Sequence, residues 1–334
     1  MTLPYLPRLV CISLATFFLV HLALGTVVSP IARPAVRLGA RIRPHLAARC
    51  LLVLRLLPAA GAAFIVVAVC LPSYLWLEPE APTERVGFGC LAVALLGIAM
   101  WGISLARGLG AAAGSRRFLR RCQRAGRPAR LPGNTADAWM DAWIVDGTAP
   151  LLALGGIVRP RLIISRGVVS ALPAEQLAAA LRHEHAHWTS HDNLKRLCIL
   201  LTPGILPFAG SSRTLERGWK KFTEWAADDR AVAGSARRSC ALAAALVRVA
   251  RMAADAPQSS HLSPLASTLL GDTDQLSARV DRLLRTAPRG NCPAGPRPIL
   301  ALSAILLMAG SLAVAILQPA ALYSVHVALE HLVE

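Results

Sequence analysis

A mainly helical membrane protein with an α+β domain set between its spans is the fold this sequence predicts. Three observations predict it: long apolar runs, arginine-rich segments between them, and one compact stretch where short β-type runs precede two helices carrying histidine and acid. A chain of 334 residues with 54% hydrophobic residues and a mean hydropathy of +0.49 is too apolar for an ordinary soluble enzyme.

The apolar residues fall into four runs, Leu9 to Val28, Leu56 to Leu77, Val86 to Ala106 and Ile299 to Leu317. Each is close to the ~20 residues a helix needs to cross the hydrocarbon core. A shorter run, Leu197 to Ala209, is broken by Pro203 and Pro207 and is expected to pack against the domain or dip into the interface. Arg33, Arg37, Arg41, Arg43, Arg49 and Arg55 lie between the first two runs, with no acid among them. After the third run come Arg107, Arg116, Arg117, Arg120, Arg121, Arg124, Arg127 and Arg130, again without an acid. The turn between runs two and three instead carries Glu78, Glu80 and Glu84 against Arg85. Basic loops stay cytoplasmic, so the N-terminus is expected outside and the segment from Arg107 to Arg297 inside.

The expected organisation is three transmembrane helices over 1–106 with a basic cytoplasmic loop at 30–55, and a cytoplasmic domain over 107–298. A fourth transmembrane helix at 299–318 and a short exterior tail at 319–334 complete it. Reading the first run as a secretory signal, with Ala23-Leu24-Gly25 as its cleavage site, would export the basic stretch and oppose the charge rule. The net charge of +17 is then mostly topological, with the lipid bilayer as its partner. No direct nucleic-acid contact is expected, because the basic run at 107–130 abuts a span and has only Phe118 as an interleaved aromatic. The eight cysteines are scattered singly with no C-x-x-C pair, which predicts neither a zinc ribbon nor a disulfide framework.

About 190 residues between runs three and four are enough for one compact domain. Trp143–Asp146, Leu151–Leu154 and Arg161–Ser165 read as strands, separated by turn formers at Gly147 and Pro160. Pro173-Ala-Glu-Gln176 then opens a helix, with proline near the first turn and an acid where the helix dipole favours one. That helix carries His183-Glu-His-Ala-His187, an H-E-x-x-H motif, and the residues on both sides, Ala178–Leu181 and Asn193–Leu197, favour its continuation. Positions four apart lie one turn above each other. His183 and His187 therefore point two imidazoles at one metal ion, and Glu184 sits beside the open coordination position as the candidate general base.

Zinc in a hydrolytic site takes three protein ligands and keeps one position for water. A longer motif ending in histidine would need it at position 193, which is Asn193. The third donor is expected from a second helix, residues 215–235, closed by Gly234, where Glu224 and Asp228 share a face. Glu224 is the candidate third ligand, and Asp228 is placed to hydrogen-bond a ligand imidazole and set its tautomer. The bland alternative leaves both acids on an exposed face, paired with Lys220, Lys221 or Arg230. His191, two turns along the helix, is too far round to share the ion, and His185 points away from it. Asp192 is read as a helix-end residue that pairs with a neighbouring base or buttresses the site. A small sheet followed by two zinc-bearing helices is the α+β layout of a zincin.

Four blocks carry a family resemblance: Gly155-Gly-Ile-Val-Arg-Pro-Arg-Leu-Ile-Ile164, Leu172-Pro-Ala-Glu-Gln-Leu177, His183–His187 with Asp192-Asn193, and Glu224-Trp-Ala-Ala-Asp-Asp-Arg-Ala231. Together they resemble the BlaR/MecR-type membrane metallopeptidases over residues 140 to 255. The resemblance implies a cytoplasmic gluzincin-like zincin domain within a four-helix transmembrane protein of the bacterial inner or plasma membrane. It also implies Zn2+ at His183, His187 and Glu224, with Glu184 as catalytic base. The sensor members carry an extracellular penicillin-binding domain after the last span. This sequence ends about seventeen residues beyond its fourth run, so antibiotic sensing is not expected of it. A second likeness is to the CAAX-protease and heat-shock membrane zincins, which also combine H-E-x-x-H with Glu-x-x-x-Asp.

The expected activity is a membrane-bound zinc endopeptidase acting on a cytoplasmic or membrane-associated protein or peptide. In its regulatory form the substrate is a transcriptional repressor or the chain itself. Leu151–Leu154 is the expected sheet edge for an extended substrate, and His191 and Arg230 are weak candidates for an oxyanion donor. A non-catalytic membrane scaffold is the rival, weakened by the presence together of His183, Glu184, His187, Glu224 and Asp228.

Overall fold

Among the described residues of a computed structural model, three helices are long and apolar enough to cross a membrane. The structure describes residues 2–77, 84–85, 87–129, 142–147, 150–204, 209–254, 267–268 and 275–285. The fourth apolar run, the tail beyond it and much of the acidic turn at 78–83 lie outside the described residues. The first helix, α1, spans Tyr5–Gly39. The second begins as α2, Pro44–Ile65, passes through a π turn at Val66–Cys70 and ends as α3, Leu71–Leu77. The third is α4, Phe88–Ala125. A two-residue ladder joins β1, Thr2–Leu3, to β2, Glu84–Arg85.

The expected basic loop at 30–55 is helical except for residues 40–43. Helix α1 runs on through Pro30 and Pro34, and α4 carries the second arginine cluster on the same continuous helix as its apolar run. Tertiary burial explains the extension. Val28 and Ala32 of α1 and Ala47, Ala48 and Leu51 of α2 pack in one cluster with Leu215, Trp219 and Phe222. Those three residues belong to α8, Ala209–Val232. Gly218 makes the docking notch, since a Cβ there would sit 2.7 Å from Val36 Cγ2 and 2.9 Å from Leu51 Cδ1. Arg55, buried at the base of the second apolar run, pairs with Glu216 at 2.9 Å and ties α2 to α8.

The sheet is mixed, in the order β3-β4-β6-β5-β7. Its strands are β3 Gly126–Ala129, β4 Ala142–Val145, β5 Leu152–Gly155, β6 Arg161–Ser165 and β7 Ser267–Thr268. The nearly all-apolar β5 and β6 are buried on both faces. The helix α5, Arg166–Ala171, is capped by Ser165, whose Oγ accepts from Val168 N. Next come α6, Ala174–Thr189, and α7, Asp192–Leu201. Further on lie α9, Ala236–Ala254, and α10, Leu276–Arg285. Leu154, Leu162 and Ile164 of the sheet, Ala179 and Ala180 of α6, Leu242 and Leu246 of α9 and Leu283 of α10 form the second large core. Each buried leucine there contributes about 1.5–3 kcal/mol.

Two expectations are corrected. The motif helix does not continue through residue 197: it stops at Thr189, and His191 adopts the left-handed conformation, φ 54°. A new helix starts at Asp192, so the chain turns an elbow there. The second correction concerns β5, which is interior rather than an edge. It pairs with β6 on one side and with β7, Thr268 opposite Ala153 and Ser267 opposite Leu154, on the other. Of the proline-broken run, Leu197–Leu201 closes α7, and Pro203 and Gly204 line a pocket shared with His21 and Pro58 of the first two helices, while 205–208 lie outside the described residues.

Candidate metal centre

Helices α6 and α8 bring the expected donors to one point. Helix α6 has Pro173 at its N-cap and Glu175 in its first turn, where Arg237 of α9 pairs with it. Its buried face carries Leu177, Ala180, His183, Glu184 and His187. Helix α8 is cross-tied to it from both sides: Arg182 donates to Ala231 O at 3.2 Å, and Arg230 donates to Ala186 O at 3.2 Å and to Ser190. It ends at Ala233 and Gly234, both with positive φ, as left-handed helix ends do.

Between these helices, His183 Nε2 lies 3.1 Å from His187 Nε2 and 3.5 Å from Glu224 Oε2, and His187 Nε2 lies 3.7 Å from Glu224 Oε2. A tetrahedral ion with ligands at ~2.0–2.1 Å asks for donor pairs about 3.4 Å apart. The triangle meets that requirement, and the buried His183-His187-Glu224 group can hold a metal ion. His183, Glu184, His187 and Glu224 are 0, 0, 2 and 5% exposed, so the donors lie away from bulk water. The bland reading of Glu224 and Asp228 as exposed acids paired with lysines does not hold, since both are buried.

The far nitrogens explain why the near ones converge. His183 Nδ1 lies 2.9 Å from Asp228 Oδ1, and His187 Nδ1 lies 2.8 Å from Asp192 Oδ2. A carboxylate at Nδ1 holds the proton there and leaves the Nε2 lone pair facing the ion. The elbow at His191 is what carries Asp192 back onto His187. Lys195 steadies Asp192 at 3.0 Å, and Asn193 Nδ2 donates to Leu154 O and Gly156 O at 3.1 and 2.8 Å, pinning α7 to the sheet.

The electrostatics favour positive charge at this point. Burial opposes a charged His187, yet Glu224 and Asp192 outweigh it and push its pKa up to about 10. Burial likewise opposes charge on His183, and Asp228 and Glu224 raise it. Glu184 is the exception among the acids. Both its oxygens are buried with no hydrogen-bond partner among the described residues, and burial pushes its carboxyl up to about 7.

Sequence reasoning missed Arg279. It reaches in from α10, 1% exposed, and its guanidinium grips Asp228 through Nε–Oδ2 at 2.9 Å and Nη2–Oδ1 at 2.7 Å. Nη1 lies 3.2 Å from Glu224 Oε2. Burial opposes an ionised Asp228, but Arg279 holds its pKa at about 2. A signal was present: Leu276, Val280 and Leu283 form an apolar stripe with Arg279 on the same face. The two weak oxyanion candidates sit elsewhere. His191 is exposed on the elbow, and Arg230 donates from Nη1 to Ala186 O and Ser190. His185 lies against Trp188 with its ring tilted, away from the donors. No family model and no curated protein matches the chain.

Proposed function

We propose that this chain is a membrane-bound zinc endopeptidase with a gluzincin-like zincin domain whose site faces the cytoplasm. The triangle of His183 Nε2, His187 Nε2 and Glu224 Oε2, with the unpartnered Glu184 carboxylate beside it, is the observation that carries the proposal. Two imidazoles and a carboxylate with no thiolate suit zinc in a hydrolytic site. When bound, zinc supplies Lewis acidity toward a water and a scissile carbonyl. Glu184 accepts the water's proton at a carboxylate oxygen and hands it to the leaving amine. Burial raises the Glu184 carboxyl in the metal-free site, which favours its taking up a proton. Asp228 and Asp192 hold the two imidazoles in the required tautomer. Arg279 in turn holds Asp228 and Glu224 in position.

Helix α8, which carries Glu224 and Asp228, packs against the arginine-rich ends of α1 and α2. Basic segments stay in the cytoplasm, which makes the substrate a cytoplasmic or membrane-associated protein, with a transcriptional repressor among the candidates. The BlaR/MecR-like blocks support the same reading. A second reading, in which the chain cuts itself, is favoured by one observation: Ser267–Thr268 already pairs antiparallel on β5, where an extended substrate strand would add. The test is Glu184→Gln in native membranes, followed by mapping of protein termini. The variant is expected to keep its zinc and to lose both the cleavage of other proteins and any self-cleavage. Turnover at the wild-type rate would overturn the proposal.

A further inference from the structure

Behind His187, on the side of Asp192 away from the metal donors, lies a cavity of about 320 Å³ that the proposed reaction does not use. It is a half-open hollow bounded by the first turns of α2, the elbow between α6 and α7, and the C-terminal half of α8, with Arg49 and Arg230 exposed at its rim. Its charge is one-sided. Arg49, Lys195 and Arg230 line it beside the imidazole of His45, and Asp192 is the only acid among the lining residues. Asp192 is already engaged by His187 and Lys195. The next nearest acid by sequence, Asp229, is paired with Arg282. Arg230 donates only to Ala186 O and Ser190, and Arg49 and His45 make no ion pair or hydrogen bond among the described residues. Thr189, Ser190 and Thr223 add hydroxyls to the wall. A hollow with uncompensated guanidinium charge and hydroxyl donors suits an oxyanion.

Its height on α2 identifies the source. Leu52 and Arg49 line the cavity and lie four and seven residues before the apolar run at Leu56. At 1.5 Å per residue that is roughly 6–10 Å outside the hydrocarbon, the level of lipid headgroups. Ala48, Leu52 and Trp219 give the same cavity an apolar side. We infer that it binds a phosphate-bearing anion, supplied by the headgroup of an anionic phospholipid of the adjacent leaflet, with Arg49 and Arg230 holding the phosphate. Binding needs neither the metal nor peptide hydrolysis, so its failure and that of the proposed activity are separable.

The test uses the full chain in non-ionic detergent and native mass spectrometry. The probes are short-chain phosphatidylglycerol, phosphatidylcholine of the same chain length, and inorganic phosphate. Phosphatidylglycerol is expected to bind one per chain and phosphatidylcholine not to compete. Each basic contact is worth about fivefold, so Arg49→Gln with Arg230→Gln should weaken binding about 25-fold. Arg49→Lys with Arg230→Lys should keep most of it. The charge-matched control Arg238→Gln with Arg251→Gln, on exposed positions of α9, should leave it unchanged. Binding of inorganic phosphate alone, lost in the same Gln pair, would uphold the anion site with a soluble source. Equal loss in the control pair, or no loss in the cavity pair, would overturn the inference.

Discussion

Replacing Arg279 by methionine removes its charge and keeps its approximate length, and the consequence follows from what the guanidinium touches. It makes two short contacts to Asp228, at 2.7 and 2.9 Å, and stands 3.2 Å from Glu224. Arg279 and Asp228 are each 1% exposed, so water cannot take over either role. Removing one partner of such a buried pair costs about 3–5 kcal/mol, because the other charge is left without compensation. For a chain of this size that lowers Tm by about 6–20 °C. The assay is thermal unfolding of the detergent-solubilised protein with zinc removed by chelator, run as a cycle with Asp228→Asn. Neutralising Asp228 in the Arg279→Met background should recover a large part of the loss, since the stranded charge is gone. A shift of under about 2 °C for Arg279→Met, or strictly additive single variants, would refute the reasoning.

Asp192→Asn should weaken zinc binding about 10–100-fold, the usual effect of losing a carboxylate behind a ligand imidazole, and a competitive chelator titration reads it. Zinc binding should also release protons and tighten as pH rises. Metal-free His187 has its pKa raised to about 10 and is protonated at pH 7, whereas a ligand imidazole must be neutral. An affinity flat between pH 6 and 9 would contradict this, where each displaced proton gives about tenfold per pH unit. Gly218→Val should destabilise by about 1–3 kcal/mol, since even its Cβ would sit 2.7 Å from Val36 Cγ2, and urea titration of the purified chain measures it. Reporter fusions after Arg41 should report the cytoplasm and fusions after Ala81 the exterior; the reverse pattern would move the site to the other side of the membrane.

The donor set was legible because its geometry is local. His183 and His187, and Glu224 and Asp228, each lie four apart on one helix, so helical period alone puts each pair on a common face. The strands beneath them were legible from short apolar runs between turn formers. What could not be read were contacts made by distant segments. Arg279 is 96 residues from His183, and no spacing rule reaches that far. The elbow at His191 has neither glycine nor proline to announce it; the bonds of Asp192 to His187 and of Asn193 to the sheet hold the left-handed turn. The extension of α1 to Gly39 through two prolines is tertiary in origin, since α2 and α8 bury the face that local propensity would not have kept helical. The edge assignment failed at β5 because its outer partner is two residues long and carries no strand pattern.

Zinc X-ray absorption on the purified chain tests the central claim most directly. The account predicts one zinc per chain, with two imidazole nitrogens and light oxygen ligands at ~2.0–2.2 Å and no sulfur. Glu224→Ala should lose that bound zinc, because two donors cannot hold it well. Sulfur scattering near ~2.3 Å, or full zinc occupancy in Glu224→Ala, would contradict the account.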